Sequence, residues 1–126
     1  MSLVLDAGAL IAVERAHRDT VALIKNELLQ GRAPITHGGI IGQVWRGGAG
    51  RQVVLARLLA GLDVVPLDSL LGRRAGVLIS ESKTEDVLDA ALVLLAADGD
   101  MLVTSDPGDL EPLASAAGLH VDIVRV

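Results

Sequence analysis

The chain predicts an α/β domain, a three-layer α/β/α sandwich around a central parallel sheet. Three observations carry this. Short apolar runs of strand length alternate with longer segments of helical spacing, the order that makes a parallel sheet. The strand candidates are apolar almost without interruption, as strands are when both faces are covered. No repeat, linker or low-complexity stretch divides the 126 residues, so residues 1–126 form one domain.

Residues 2–5 form the first strand candidate, ended by Asp6-Ala7-Gly8, and Ala9 to Ala16 the first helix. Asp19 or Thr20 can cap a second helix, with Val21, Ile24 and Leu28 at helical spacing up to Gly31. Ala33 to Thr36 is the second strand. Gly38 to Trp45 is a short helix, broken by Gly47-Gly48-Ala49-Gly50, and Arg51 to Ala60 is helical again. Asp63 to Pro66 is the third strand and Ser69 to Ile79 the next helix. A helix capped at Thr84 then runs through Asp86 to Ala97, apolar on nearly every side, as buried helices are. Met101 to Thr104 is the fourth strand. Pro107 to Ala117 is a helix stopped by Gly118, and His120 to Val124 is the last strand.

Composition narrows the function. No apolar run approaches the roughly 20 residues of a membrane span, and MSLVLDAG reads as a strand and not as a signal peptide. Without cysteine there are no disulfides and no thiolate metal sites, which fits a cytoplasmic protein. One Trp and no Phe or Tyr argue against single-strand binding by base stacking. A net charge of −5 argues against a general nucleic-acid binder held by long-range attraction. It leaves room for a nuclease whose divalent cations offset a local acidic cluster.

Such a cluster is visible. Ligands of open parallel sheets bind outside the carboxyl ends of the strands, where strand order reverses. Asp6 follows the first strand and Asp106 the fourth, so both belong to that edge. Asp86 and Asp89, three apart, share a helix face. Grouped carboxylates repel unless a cation holds them ionised, and an oxygen-only set suits Mg²⁺ or Mn²⁺. Each acid also has a purely structural explanation. Asp6 and Asp106 can be helix N-caps, Asp106 all the more because Pro107 follows it, and Asp86 can serve its helix dipole.

Three stretches carry a family resemblance: VLDAGALIAVE at 4–14, DAALVLLA at 89–96 and LVTSDPGDL at 102–110. Together they resemble the PIN domain, the fold of VapC-type toxins of toxin–antitoxin pairs. The resemblance spans the chain in length and element order. It implies a metal-dependent endoribonuclease that hydrolyses RNA phosphodiester bonds with Mg²⁺ or Mn²⁺, a protein antitoxin as partner, and a homodimer. By position, Asp6, Asp89 and Asp106 match family acids, Thr104 and Ser105 match small polar residues that orient the site, and Asp109 matches an outer acid. One departure stands out. Where such domains carry a Glu in the helix after the second strand, GGIIGQVWRGG carries Gln43, which offers a carbonyl oxygen but neither charge nor base. Asp86, or Glu14 on the first helix, is the candidate to compensate.

Other residues invite weaker expectations. His17, His37 and His120 lack ligand spacing and read as surface or loop residues, with His37 placed to face the active edge. Trp45 reads as a core or interface anchor. Arg46 and Arg51 flank the glycine-rich turn as solvated charges or phosphate contacts, and Arg73-Arg74 as surface charge. That turn does not lead from strand to helix in the dinucleotide pattern. Two rivals remain: a PIN-like domain that binds RNA or protein without turnover, favoured by Gln43, and a receiver-like phosphoacceptor. The second expects an acceptor Asp ending the third strand and a Lys near the last, whereas the third ends in Val65-Pro66 and no Lys follows Lys83.

Overall fold

The computed structural model describes all 126 residues. In chain order the elements are β1 (Leu3–Leu5), α1 (Ala7–Glu14), α2 (Arg18–Leu29), β2 (Ile35–His37), α3 (Gly38–Val44), α4 (Gln52–Leu59), β3 (Asp63–Val65), α5 (Ser69–Ser82), α6 (Val87–Val93), β4 (Met101–Thr104), α7 (Pro107–Ala116) and β5 (Asp122–Arg125). The five strands form one sheet in the order β3-β2-β1-β4-β5, and every pairing is parallel. Helices α1 to α4 pack as one layer, with α1 touching the other three, and α5, α6 and α7 pack together as the second. The three-layer sandwich expected from the sequence is the fold observed.

The central strands explain why the apolar runs are unbroken. Leu3, Val4 and Leu5 of β1 and Leu102 and Val103 of β4 are covered on both faces and belong to one core cluster. The edge strand β3 is short, and Asp63 and Val64 stay exposed.

Element boundaries differ from expectation at caps and at helix ends: the helix expected to end at Ile79 runs on to Ser82, and the one expected to reach Ala97 stops at Val93. The second helix starts two residues earlier than an Asp19 cap allows and three earlier than a Thr20 cap, because His17 Nδ1 accepts the Thr20 N–H. Asp86, and not Thr84, caps α6: its Oδ1 accepts the Asp89 N–H at 3.0 Å. Thr84 instead shares a 2.8 Å hydroxyl contact with Ser82 in the preceding turn.

Two residues depart from their expected environments. Trp45 is not a core residue. It follows α3 and is 37% exposed, and its ring lies against Gly48, where a Cβ would come within 3 Å. His37 is fully buried and not a surface histidine. Its Nδ1 accepts the Gly39 N–H at 3.1 Å, so Nε2 carries the proton and donates to the Leu88 carbonyl at 2.9 Å. One imidazole thereby ties β2 and α3 to α6. His17 and His120 are exposed, as expected.

Candidate active site at the carboxyl edge of the sheet

Strand order fixes where a site can be. From β1 the chain moves out to β2 and β3, then returns to pair β4 against the other side of β1. The reversal point is therefore the β1/β4 boundary, where the carboxyl ends form a crevice. Leu5 pairs with Val103, and the Asp6 N–H donates to the Val103 carbonyl at 3.2 Å. Asp6 and Thr104-Ser105-Asp106 thus emerge side by side.

Asp6 caps α1, its Oδ1 accepting the Ala9 N–H at 2.9 Å. It is only 8% exposed, and burial raises its pKa above the usual carboxylate value. Hydrogen bonds from the Thr104 hydroxyl and from the backbone of Ala9, Gly8 and Ser105 counter part of that rise. Thr104 is buried, and its Oγ1 also accepts the Asp106 N–H at 2.9 Å. The resemblance implies that Thr104 and Ser105 orient the site, and the structure puts the Thr104 hydroxyl and the Ser105 backbone in hydrogen bonds to Asp6. Asp106 precedes α7, yet its side chain makes no cap bond, so its exposed carboxylate is left free of the structural role proposed for it.

The remaining acids lie on the α6–α7 side. Thr84, Glu85, Asp86, Asp89, Gly108 and Asp109 line a groove of about 320 Å³. Burial, and then the charges of Asp86, Asp6 and Asp109, raise Asp89 to about 6. Asp109 is raised chiefly by the Asp106 charge, with burial, a hydrogen bond to Asp106 and the Asp86 charge adding to it. Five acids from three separate segments therefore feel one another. Their repulsion is what a divalent ion would relieve, and the donor set is all oxygen, the chemistry Mg²⁺ and Mn²⁺ prefer. No three His, Asp or Glu side chains converge tightly enough to hold an ion in this arrangement, so the acids form an electrostatically coupled group and not a finished coordination shell.

The other candidates lie on α1, α3, α4 and the turn between α3 and α4. Gln43 is exposed on α3, and only its backbone carbonyl is engaged, by Arg46 at 3.2 Å. The Arg46 guanidinium folds back on the end of α3, donating also to the Gly42 and Trp45 carbonyls. Arg51 is exposed and caps α4 without a side-chain bond. Glu14 sits at the far end of α1 from Asp6 and accepts from Gln52 Nε2 at 2.8 Å. That distance of about 10 Å along the helix makes Asp86 the better placed of the two candidate substitutes for a missing acid.

One residue of the site escaped sequence reasoning. A Cβ on Gly8 would collide with the Ser105 side chain and come within 2.9 Å of the Ser105 nitrogen. Gly8 is what lets the first turn of α1 press against the β4–α7 turn and hold Asp6 beside Ser105. Gly8→Ala is expected to destabilise the fold by about 1–2 kcal/mol, the usual range for overpacking against backbone. Thermal denaturation of the metal-free protein checks this; an unchanged Tm would show that the two turns can move apart freely.

No protein-family model matches the chain, and no curated protein matches it. A solved structure does. A chain of VapBC2 from Rickettsia felis, bound to a DNA fragment from their promoter, superposes with a TM-score of 0.68, covering 98% of this chain and 98% of that one at 13% identity. The fold is PIN-like. The likeness runs end to end over both chains, and at this identity it concerns the fold and not the side chains of the carboxyl edge. No helix is long and apolar enough to cross a membrane.

Proposed function

We propose that the chain is a Mg²⁺- or Mn²⁺-dependent endoribonuclease and the toxin of a type II toxin–antitoxin pair, acting in the cytoplasm. The observation that carries it is the reversal of strand order at β1/β4, which sets Asp6 beside Thr104-Ser105-Asp106 and within electrostatic reach of Asp89. Asp6, Asp89 and Asp106 are the residues assigned to hold the metal, with Asp86 alongside. A bound divalent ion supplies charge to draw in a phosphodiester and to activate a water for its hydrolysis. Thr104 and the Ser105 backbone keep Asp6 aimed at the crevice, and Asp109 adds outer negative charge. Arg51, exposed and without a side-chain bond, is the contact assigned to RNA phosphates beyond α3, while the Arg46 guanidinium closes on the end of that helix. The likeness to VapBC2 supports an antitoxin as protein partner, and a homodimer goes with the same reading.

The test is incubation with structured RNA and Mn²⁺, with and without chelator, beside Asp6→Ala. Cutting that needs metal and Asp6 is the expected result. A second reading, a PIN-like module that retains RNA or a protein without turnover, is favoured by Gln43 and by the unformed coordination shell. RNA retained intact by the wild-type protein under the same conditions would select it. Expressed alone, a toxin is expected to slow growth.

Gln43 has its own prediction. Gln43→Glu is expected to tighten Mn²⁺ binding by about tenfold, since ligand charge sets affinity in oxygen sites. Superimposable calorimetric isotherms for the two proteins would place Gln43 outside the site.

A further inference from the structure

The acidic rim repels the polyanion it is proposed to cut, so a strand reaching it needs cationic anchorage nearby. Such a place exists on the opposite flank of Asp6. A groove of about 460 Å³ runs along α1, with Gly8 and Ser105 at one end and Arg15 and His17 at the other. Ile11, Ala12 and Val126 form its apolar side. Residues 8, 11, 12 and 15 recur at helical spacing, so the groove follows one face of α1. At 1.5 Å per residue it carries about 13 Å from the Asp6 cap to Arg15.

The cation in it is free to act, and so is the imidazole donor beside it. Arg32–Glu27 is the molecule's one ion pair, which leaves Arg15 exposed and without a carboxylate. His17 Nδ1 is taken up by Thr20, accepting its N–H and lying 2.8 Å from its hydroxyl, so the proton of the neutral ring is on Nε2, which has no protein partner. Ser105 joins the two regions, since its backbone bonds Asp6 while the residue also lines the groove. Arg46, by contrast, spends its guanidinium on three carbonyls of its own helix end.

We propose that the α1 groove is a subsite for the RNA strand, in which Arg15 and His17 bind a backbone phosphate next to the one held at the acids. The sugar lies against Ile11 and Ala12, and the Ser105 hydroxyl bridges subsite and centre. This rests on the ribonuclease reading for its substrate, but its own evidence is the groove, its unpaired Arg15 and the free Nε2 of His17. Phosphate contacts of this kind position a strand without reading sequence.

The experiment uses the full chain and a fluorescein-labelled ten-nucleotide single-stranded RNA. Anisotropy in chelator, over a range of salt, is run for wild type, Arg15→Ala, Arg15→Lys and Arg74→Ala, the last on the other helical layer. Cleavage in Mn²⁺ is followed in parallel. Arg15→Ala is expected to weaken binding about fivefold and to lower the salt slope by about 0.7, the value of one lost phosphate contact on a single strand. KM rises with little change in kcat, Arg15→Lys recovers part of the loss, and Arg74→Ala matches wild type. Equal binding by Arg15→Ala and wild type overturns the subsite, as does an equal loss in Arg74→Ala, which reports general charge only. Asp6-dependent cutting with normal KM in Arg15→Ala sinks the subsite and leaves the nuclease standing. Arg15-dependent binding with no cutting by wild type does the reverse, and a wild type that neither binds nor cuts ends both.

Discussion

Asp6→Asn is expected to lower metal-dependent RNA cleavage by at least about a hundredfold while leaving the fold at least as stable as wild type. The two halves of this result have different physical origins. Asp6 serves at once as the N-cap of α1 and as the most buried acid of the crevice. Asn is as good a cap as Asp, because its amide oxygen accepts the same Ala9 N–H. It also removes a charge that burial disfavours, the cause of the raised Asp6 pKa. A purely structural Asp6 therefore gains or loses nothing on becoming Asn, whereas an Asp6 that holds a divalent ion loses the function outright. Asp6→Ala makes the control, since it removes cap and charge together and should cost about 1 kcal/mol in the metal-free protein. Cleavage by Asp6→Asn near the wild-type rate would reduce Asp6 to a helix cap.

The sequence could reveal the place of Asp6 and Asp106 because that inference needs only strand order and strand ends. Each follows an apolar run, and the β1/β4 pairing brings the two ends together. The roles of other residues depended on which way a side chain turns, which periodicity does not carry. Thr84 and Asp86 are both good capping residues, and only the chain's path after α5 decides that Asp86 meets the Asp89 N–H. His37 looked like a strand-end polar residue. It is buried because α6 crosses over β1 and β2, bringing the Leu88 carbonyl to its ring, a contact 51 residues away in sequence. Arg46 follows a helix of seven residues whose terminal carbonyls are unsatisfied, and its guanidinium closes on them. Gly8 was hidden for another reason: close approach of two turns leaves no pattern in either of them.

The second large effect concerns Asp89 and the sign of its linkage to pH. Burial and three neighbouring acids raise it from 3.8 to about 6, so the folded protein binds a proton there that the unfolded chain has already lost. Stability from this group is therefore greatest below about pH 4, declines as pH rises, and is fully lost above about pH 6. Because Asp89 is half-buried, solvent screening reduces the penalty to on the order of 1 kcal/mol, a Tm decrease of about 4 °C. Glu27 works in the opposite sense. Its hydrogen bonds to Arg32 hold it below 4.5, so its contribution is lost only as acid is added beyond that point. Asp89→Asn is thus expected to raise the metal-free Tm at pH 7 and to flatten its dependence between pH 4 and 6, the window set by the raised Asp89. Mn²⁺ reverses the comparison. An ion at a hundred times its dissociation constant stabilises the wild type by about 2.7 kcal/mol, or about 10 °C, and Asp89→Asn forfeits most of that gain. Differential scanning calorimetry of both proteins at pH 4.5 and 7, with and without Mn²⁺, separates the possibilities. A stabilised Asn variant that responds to Mn²⁺ as fully as wild type would mean that the repulsion at Asp89 is real but that the cation is held elsewhere.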